Sequence, residues 1–191
     1  DHDNVKEAIQ SLNFLLKTSP NYIDAPQALK ALIDCYVLEK KYVEGIVLRE
    51  RMIKEYGPGS AWERSHTAER EKVDVARGYV KEAAAVIPIY YHKLGVMARD
   101  SGKADRAREN FAKALAGYDD YLGKYPEEKW NTYSFRFFKA DLLSDSLLGR
   151  YEDASREFEW VSKEDTARYP SRVVDAKKLL EEKKKEARDI K

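Results

Sequence analysis

Few residues in this chain are spaced for chemistry. Glu63 and His66 stand three apart on a predicted helix, the carboxylate–histidine unit that helical di-iron proteins use. Such a site needs a second pair and two further glutamates on facing helices, and the sequence offers no matching partner for it. His2 sits at a chain end and His92 has Ile89 three residues before it, so the expected reading of Glu63 and His66 is a solvated helix face. Cys35 lies between Asp34 and Tyr36 on an apolar helix face, where the aspartate would raise the thiol pKa rather than activate it. The stretch Tyr56-Gly57-Pro58-Gly59-Ser60 lacks the lysine and the preceding strand of a phosphate loop. It reads as a turn with Ser60 capping the next helix. The acid pairs Asp119-Asp120, Glu127-Glu128 and Glu181-Glu182 are adjacent, so on a helix they diverge by ~100° and cannot share a substrate. No catalytic residue, metal or cofactor is expected, and a helical metal enzyme is the remote alternative.

Composition narrows the class. With 35 Lys and Arg against 34 Asp and Glu, the 191 residues carry a net charge of +1, so bulk attraction to nucleic acid or an anionic membrane is not expected. The longest apolar run, Ala83 to Tyr91, contains Pro88 and is far short of the ~20 residues that span a bilayer. Only 9 Gly and 6 Pro interrupt the chain, too few for the turn density of an all-β fold. The lone Cys35 excludes an internal disulfide. A start at Asp1 without Met suggests a processed product or a fragment of a longer chain.

The elements that must position any site are helices. Proline closes them at Ser19-Pro20, Tyr56-Gly57-Pro58, Tyr125-Pro126 and Tyr169-Pro170. Leu29, Leu32, Ile33 and Tyr36 keep helical spacing between these marks, as do Ala107, Phe111, Ala114, Leu115, Tyr118 and Leu122. The reading is all-α, with nine helices near 4–18, 25–39, 42–56, 61–86, 88–100, 103–124, 130–148, 151–166 and 172–189. Pro88 is placed in the first turn of a new helix, the alternative being a kink in one helix from Ala61 to Asp100.

An offset pattern recurs along these helices. Ala8, Leu12, Leu15, Pro20 and Ala114, Tyr118, Tyr121, Pro126 share one spacing. Gly149, Tyr151, Ala154, Phe158 and Gly102, Ala104, Ala107, Phe111 share another, with a weaker copy at Lys40, Tyr42, Gly45 that has Arg49 in the aromatic position. A small side chain lets two helices approach, an aromatic one turn later fills the gap, and glycine caps the first helix.

This pattern resembles the tetratricopeptide (TPR) motif over roughly residues 4–170, with steps of 37, 62 and 47 between markers Val5, Tyr42, Ala104 and Tyr151 against a nominal 34. Asp141 and Asp145 depart from it, standing where Leu and Tyr are expected. The strings Leu148-Gly149-Arg150-Tyr151-Glu152-Asp153-Ala154 and Ala114 to Pro126 look like those of large bacterial cell-envelope TPR proteins, which favours periplasm or envelope over cytoplasm.

The resemblance implies a single right-handed α-solenoid of antiparallel helical hairpins over 1–191. Its hairpins fall near 4–20, 25–58, 61–100 with an inserted helix, 103–126 and 130–170, with a capping or linking helix at 172–191. Seven basic and five acidic residues interleave from 175 to 191, as on a solvated helix. The family's register turns Gln27, Lys30, Asp34 and Val37, then His92, Val96 and Arg99, then Arg136, Lys139 and Leu143 toward a concave groove. Asp34 stands where the carboxylate-clamp subclass has asparagine, so no chaperone-tail clamp is expected. The implied function is a non-catalytic scaffold that binds a peptide or helix of another protein. The alternative is a segment that self-associates or docks domains of its own chain.

Overall fold

The structure, a computed structural model, describes residues 2–127, 129–163 and 170–189. Every regular element among them is helical: α1 (His2–Thr18), α2 (Ala25–Leu38), α3 (Tyr42–Tyr56), α4 (Ala61–Ser65), α5 (Arg70–Asp100), α6 (Ala104–Lys124), α7 (Lys129–Leu143), α8 (Tyr151–Ser162) and α9 (Pro170–Asp189). Tyr169 and the last residues predicted for the helix at 151–166 lie outside the described residues. The chain divides into two compact units, Asp1–Ile87 and Pro88–Lys191, with the boundary inside α5.

In the first unit α1 packs on α2 and α2 on α3. Leu16, Leu29, Leu32, Ile33, Met52, Tyr56, Trp62, Val73, Ala76 and Val80 form its core. Two aromatic donors fasten the loop after α1: the Tyr56 hydroxyl donates to the Pro20 carbonyl at 3.3 Å and Trp62 Nε1–H to the Tyr22 carbonyl at 3.0 Å. Their rings meet edge-on at 5.7 Å, a geometry aromatic pairs favour.

The predicted helix 61–86 is interrupted after Ser65. The Ser65 hydroxyl and His66 Nδ1 lie 2.9 and 2.8 Å from the Trp62 carbonyl, while the His66 N–H donates to Glu63 instead. Side chains of this kind compete with the backbone ladder and end the helix. Ser60 caps α4 as expected, accepting from the Glu63 N–H at 3.1 Å.

Pro88 does not begin a helix; α5 runs through it. Proline leaves the Ala84 carbonyl without its donor, yet Gly117 of α6 lies opposite the ring. A Cβ on Gly117 would come 2.9 Å from Pro88 Cβ, so the missing side chain accommodates the proline.

The second unit has its core in Tyr133, Ala140, Leu143, Ala154, Phe158, Val161, Ala176 and Leu180, where α7, α8 and α9 pack in sequence. Tyr118, Tyr121 and Phe135 are buried beside one another, and Phe111 is buried against His92. Helix α7 stops at Leu143 rather than at residue 148, because local bonds replace the ladder. The Ser144 hydroxyl donates to the Asp141 carbonyl at 2.7 Å, and the Asp145 carboxylate accepts the Leu147 N–H at 2.9 Å.

The repeated cap positions share geometry. Gly102 has φ 71° and Lys40 has φ 57°. In both turns the cap N–H bonds three residues back and the following N–H five back: Gly102 to Arg99 and Lys103 to Ala98, Lys40 to Val37 and Lys41 to Tyr36. This double bond pattern ends helices best on glycine. Lys40 holds a left-handed conformation that disfavours a side chain by roughly 1–2 kcal/mol. Lys40→Gly therefore raises stability, by about 0.5–1 kcal/mol once glycine's freer unfolded chain is counted. Urea unfolding measures this, and an unchanged or lower midpoint would refute it.

Candidate functional site

In the second unit, the predicted inward positions of α5 gather around an open pocket of about 400 Å3. His92, Val96 and Arg99, at i, i+4 and i+7, share a helix face and form one wall. The other wall is the end of α7 and the turn after it: Asp141, Leu142, Ser144, Asp145 and Ser146.

The charges here are arranged in two tiers. Asp145 is sealed, with a side chain 6% exposed, and its carboxylate is bonded by the Arg99 guanidinium and the Leu147 N–H. Arg99 is shared with Asp100 at 2.8 Å, so two carboxylates surround one guanidinium and raise its pKa through their hydrogen bonds, Asp145 first. Asp141 is 59% exposed, and among the described residues the cationisable group it approaches is His92, whose Nε2 lies at 4.0 Å, beyond hydrogen-bond reach.

His92, on the α5 wall, also packs against α6. Its Nδ1 lies 3.1 Å from the Tyr118 hydroxyl of α6, and its ring meets Phe111 and Tyr118 edge-on. Burial lowers its pKa from the usual 6.5, against the pull of Asp141 and Asp145 in the other direction. Burial also pushes the Tyr118 phenol far up, so the hydroxyl keeps its proton. In the tautomer whose Nδ1 accepts from Tyr118, the neutral imidazole carries its proton on Nε2, the nitrogen nearer Asp141.

Arg136 and Lys139, predicted to line the same groove, are committed elsewhere in this unit. Both bond Glu157 of α8, at 2.7 and 2.8 Å, and Lys139 also reaches Asp119 of α6 at 2.7 Å. The Arg136 guanidinium lies 4.6 Å above the Trp160 ring, a stacked cation–π contact. Asp120, next to Asp119, instead pairs with Lys124 along its own helix, the divergence expected of adjacent helical residues.

In the first unit, Lys30 bonds Asp34 at 2.8 Å and lies 3.6 Å from Glu82, while Gln27 is exposed one turn earlier on α2. Glu63 accepts from the Gly59 N–H and from Arg77 at 2.9 Å, which lowers its pKa. Its carboxylate and the His66 ring are thus each bound to local partners. A second cavity of about 390 Å3 is lined by Glu63, Arg64, Thr67, Arg70, Asp74 and Arg77. Burial and the nearby Asp34 carboxylate raise the Cys35 thiol pKa. Among the described residues no three His, Cys, Asp or Glu side chains cluster as a metal site would, and no helix is long and apolar enough to cross a membrane.

Asp141, Ser144, Asp145 and Ser146 were not among the predicted site residues. Their signal was present in Asp141 and Asp145, carboxylates at positions where the repeat calls for large apolar side chains. In comparisons with known proteins, no family model matches the chain, and no curated protein matches it.

Proposed function

We propose that this chain is a divergent TPR-like solenoid segment of helical hairpins that binds a segment of another protein without catalysing a reaction. The observation carrying this reading is the pocket at His92, Val96 and Arg99, residues the repeat register turns inward and which border an open cavity. A preformed cavity on helices spends little ordering entropy when a partner docks. The left-handed residues Lys40, Gly102 and Gly149, each two positions before a helix begins, support the hairpin reading.

Affinity capture from native lysate with residues 1–191 as bait tests it. Ser146 is exposed at the pocket mouth, so Ser146→Trp fills the site without disturbing the core. A partner retained by the wild type and lost with Ser146→Trp is the expected result. Equal capture by both baits would remove the pocket from the interface.

Self-association is a second reading, favoured by one patch of the first unit. Leu38, Val43 and Val47 are 71%, 63% and 58% exposed, and Val43 and Val47 are one turn apart on α3. Light scattering across concentrations decides it: a mass that rises for the wild type and stays constant for Val43→Glu/Val47→Glu supports it. A constant wild-type mass ends it.

A further inference from the structure

We propose that the pocket between α5 and the end of α7 receives a basic side chain, arginine or lysine, of a partner polypeptide, with the Asp141 carboxylate meeting its charge. This rests on the reading of the chain as a recognition module.

Three observations carry it. The first is charge: among the described residues lining the cavity, Asp141 and Asp145 stand with a single permanent cation, Arg99, which is already bonded to Asp145 and, outside the lining, to Asp100. A negative surplus remains at the cavity, and it is located on Asp141. The second is geometry. Asp141 opens onto a cavity of about 400 Å3, within the roughly 300–1,000 Å3 of ligand pockets. Among the described residues its carboxylate has no donor within hydrogen-bond distance, the neutral His92 being 4.0 Å away. The third is helix direction: α7 ends at Leu143, so its negative dipole end adjoins the pocket and favours a cation there. Val96 and Leu142 supply apolar wall for the aliphatic stem that a lysine or arginine carries below its charge. An anion would meet Asp141 and find Arg99 already occupied, so an acidic segment is excluded.

The test uses the whole chain and N-acetyl-arginine amide, which presents the side chain without free terminal charges. The ring signals of His92 are followed by NMR at pH 7.5. A saturable shift is expected, at least 10-fold weaker in Asp141→Asn and recovered in Asp141→Glu. N-acetyl-norleucine amide and N-acetyl-glutamate amide should give no saturable shift. Absence of a saturable response, an equal response to the norleucine compound, or unchanged affinity in Asp141→Asn would overturn the proposal. Binding of free arginine without binding of the amide would also overturn it, in favour of a small amino-acid ligand. A partner lost with Ser146→Trp but not displaced by N-acetyl-arginine amide would overturn this inference alone. Saturable arginine-amide binding with no pocket-dependent partner would overturn the recognition reading, and with it the polypeptide as source.

Discussion

Gly95→Ala destabilises the second unit by about 2 kcal/mol and lowers its melting temperature by about 10 °C. The expectation is a balance of two terms. Alanine gains about 1 kcal/mol over glycine inside a helix. Against it, a Cβ on Gly95 of α5 would approach the Phe111 ring of α6 closer than 3.0 Å, a separation real Cβ atoms essentially never show. Phe111 is fully buried, so its ring has nowhere to retreat, and overpacking of this kind costs roughly 1–3 kcal/mol or more. The same change at Gly78 supplies the internal control. Gly78 lies on the same helix with nothing within 4 Å of a built Cβ, so Gly78→Ala stabilises by about 0.5–1 kcal/mol. Opposite signs in thermal unfolding establish the close approach of α5 and α6. A neutral or stabilising Gly95→Ala would refute it, and partial recovery in Gly95→Ala/Phe111→Leu would localise the clash to the ring.

Glu157→Ala is at least as large, with an expected loss of about 2–3 kcal/mol. This carboxylate holds Arg136 and Lys139 together on one side of α8. Burial alone would lower the Lys139 ammonium pKa; the bonds to Asp119 and Glu157 outweigh that and raise it. Removing one member of a buried ionic network costs about 3–5 kcal/mol. The side chains here are 13% to 31% exposed, so the figure is discounted for solvent screening. Arg136→Ala costs less, about 1 kcal/mol, because Glu157 then keeps Lys139. Urea titrations that rank Glu157→Ala well above Arg136→Ala would fix Arg136 and Lys139 as part of the α7–α8 packing. Two neutral variants would return both cations to the candidate groove.

The helices were largely legible because their ends are written in proline and glycine. Helices α1, α3 and α6 stop just before Pro20, Gly57 and Tyr125-Pro126, where the sequence placed their ends. Three boundaries were not legible, and one of them, the end of α7 at Leu143, is set by the local bonds of Ser144 and Asp145. The break after Ser65 is made by His66 and Ser65 taking a carbonyl, a competition that helical periodicity does not register. The passage of α5 through Pro88 depends on Gly117, which is 29 positions away in sequence and adjacent only in the fold.

The candidate site was half legible. The family register turned His92, Val96 and Arg99 inward, with Lys30, Arg136 and Lys139 as further groove cations. Long-range pairs decided otherwise: Arg99 is taken up by Asp145, and Arg136 and Lys139 by Glu157, leaving Asp141 as the exposed charge. Asp141 and Asp145, the two aspartates that depart from the expected pattern, are among the residues that line the pocket.

The most direct test of the pocket as a recognition site is a photo-crosslinking residue placed at Ser146, with Glu109 on α6 as the exposed control position. In native lysate the account predicts one crosslinked partner from position 146, lost when Asp141→Asn is added and absent from position 109. No adduct from a folded protein, or the same adduct from both positions, would contradict it.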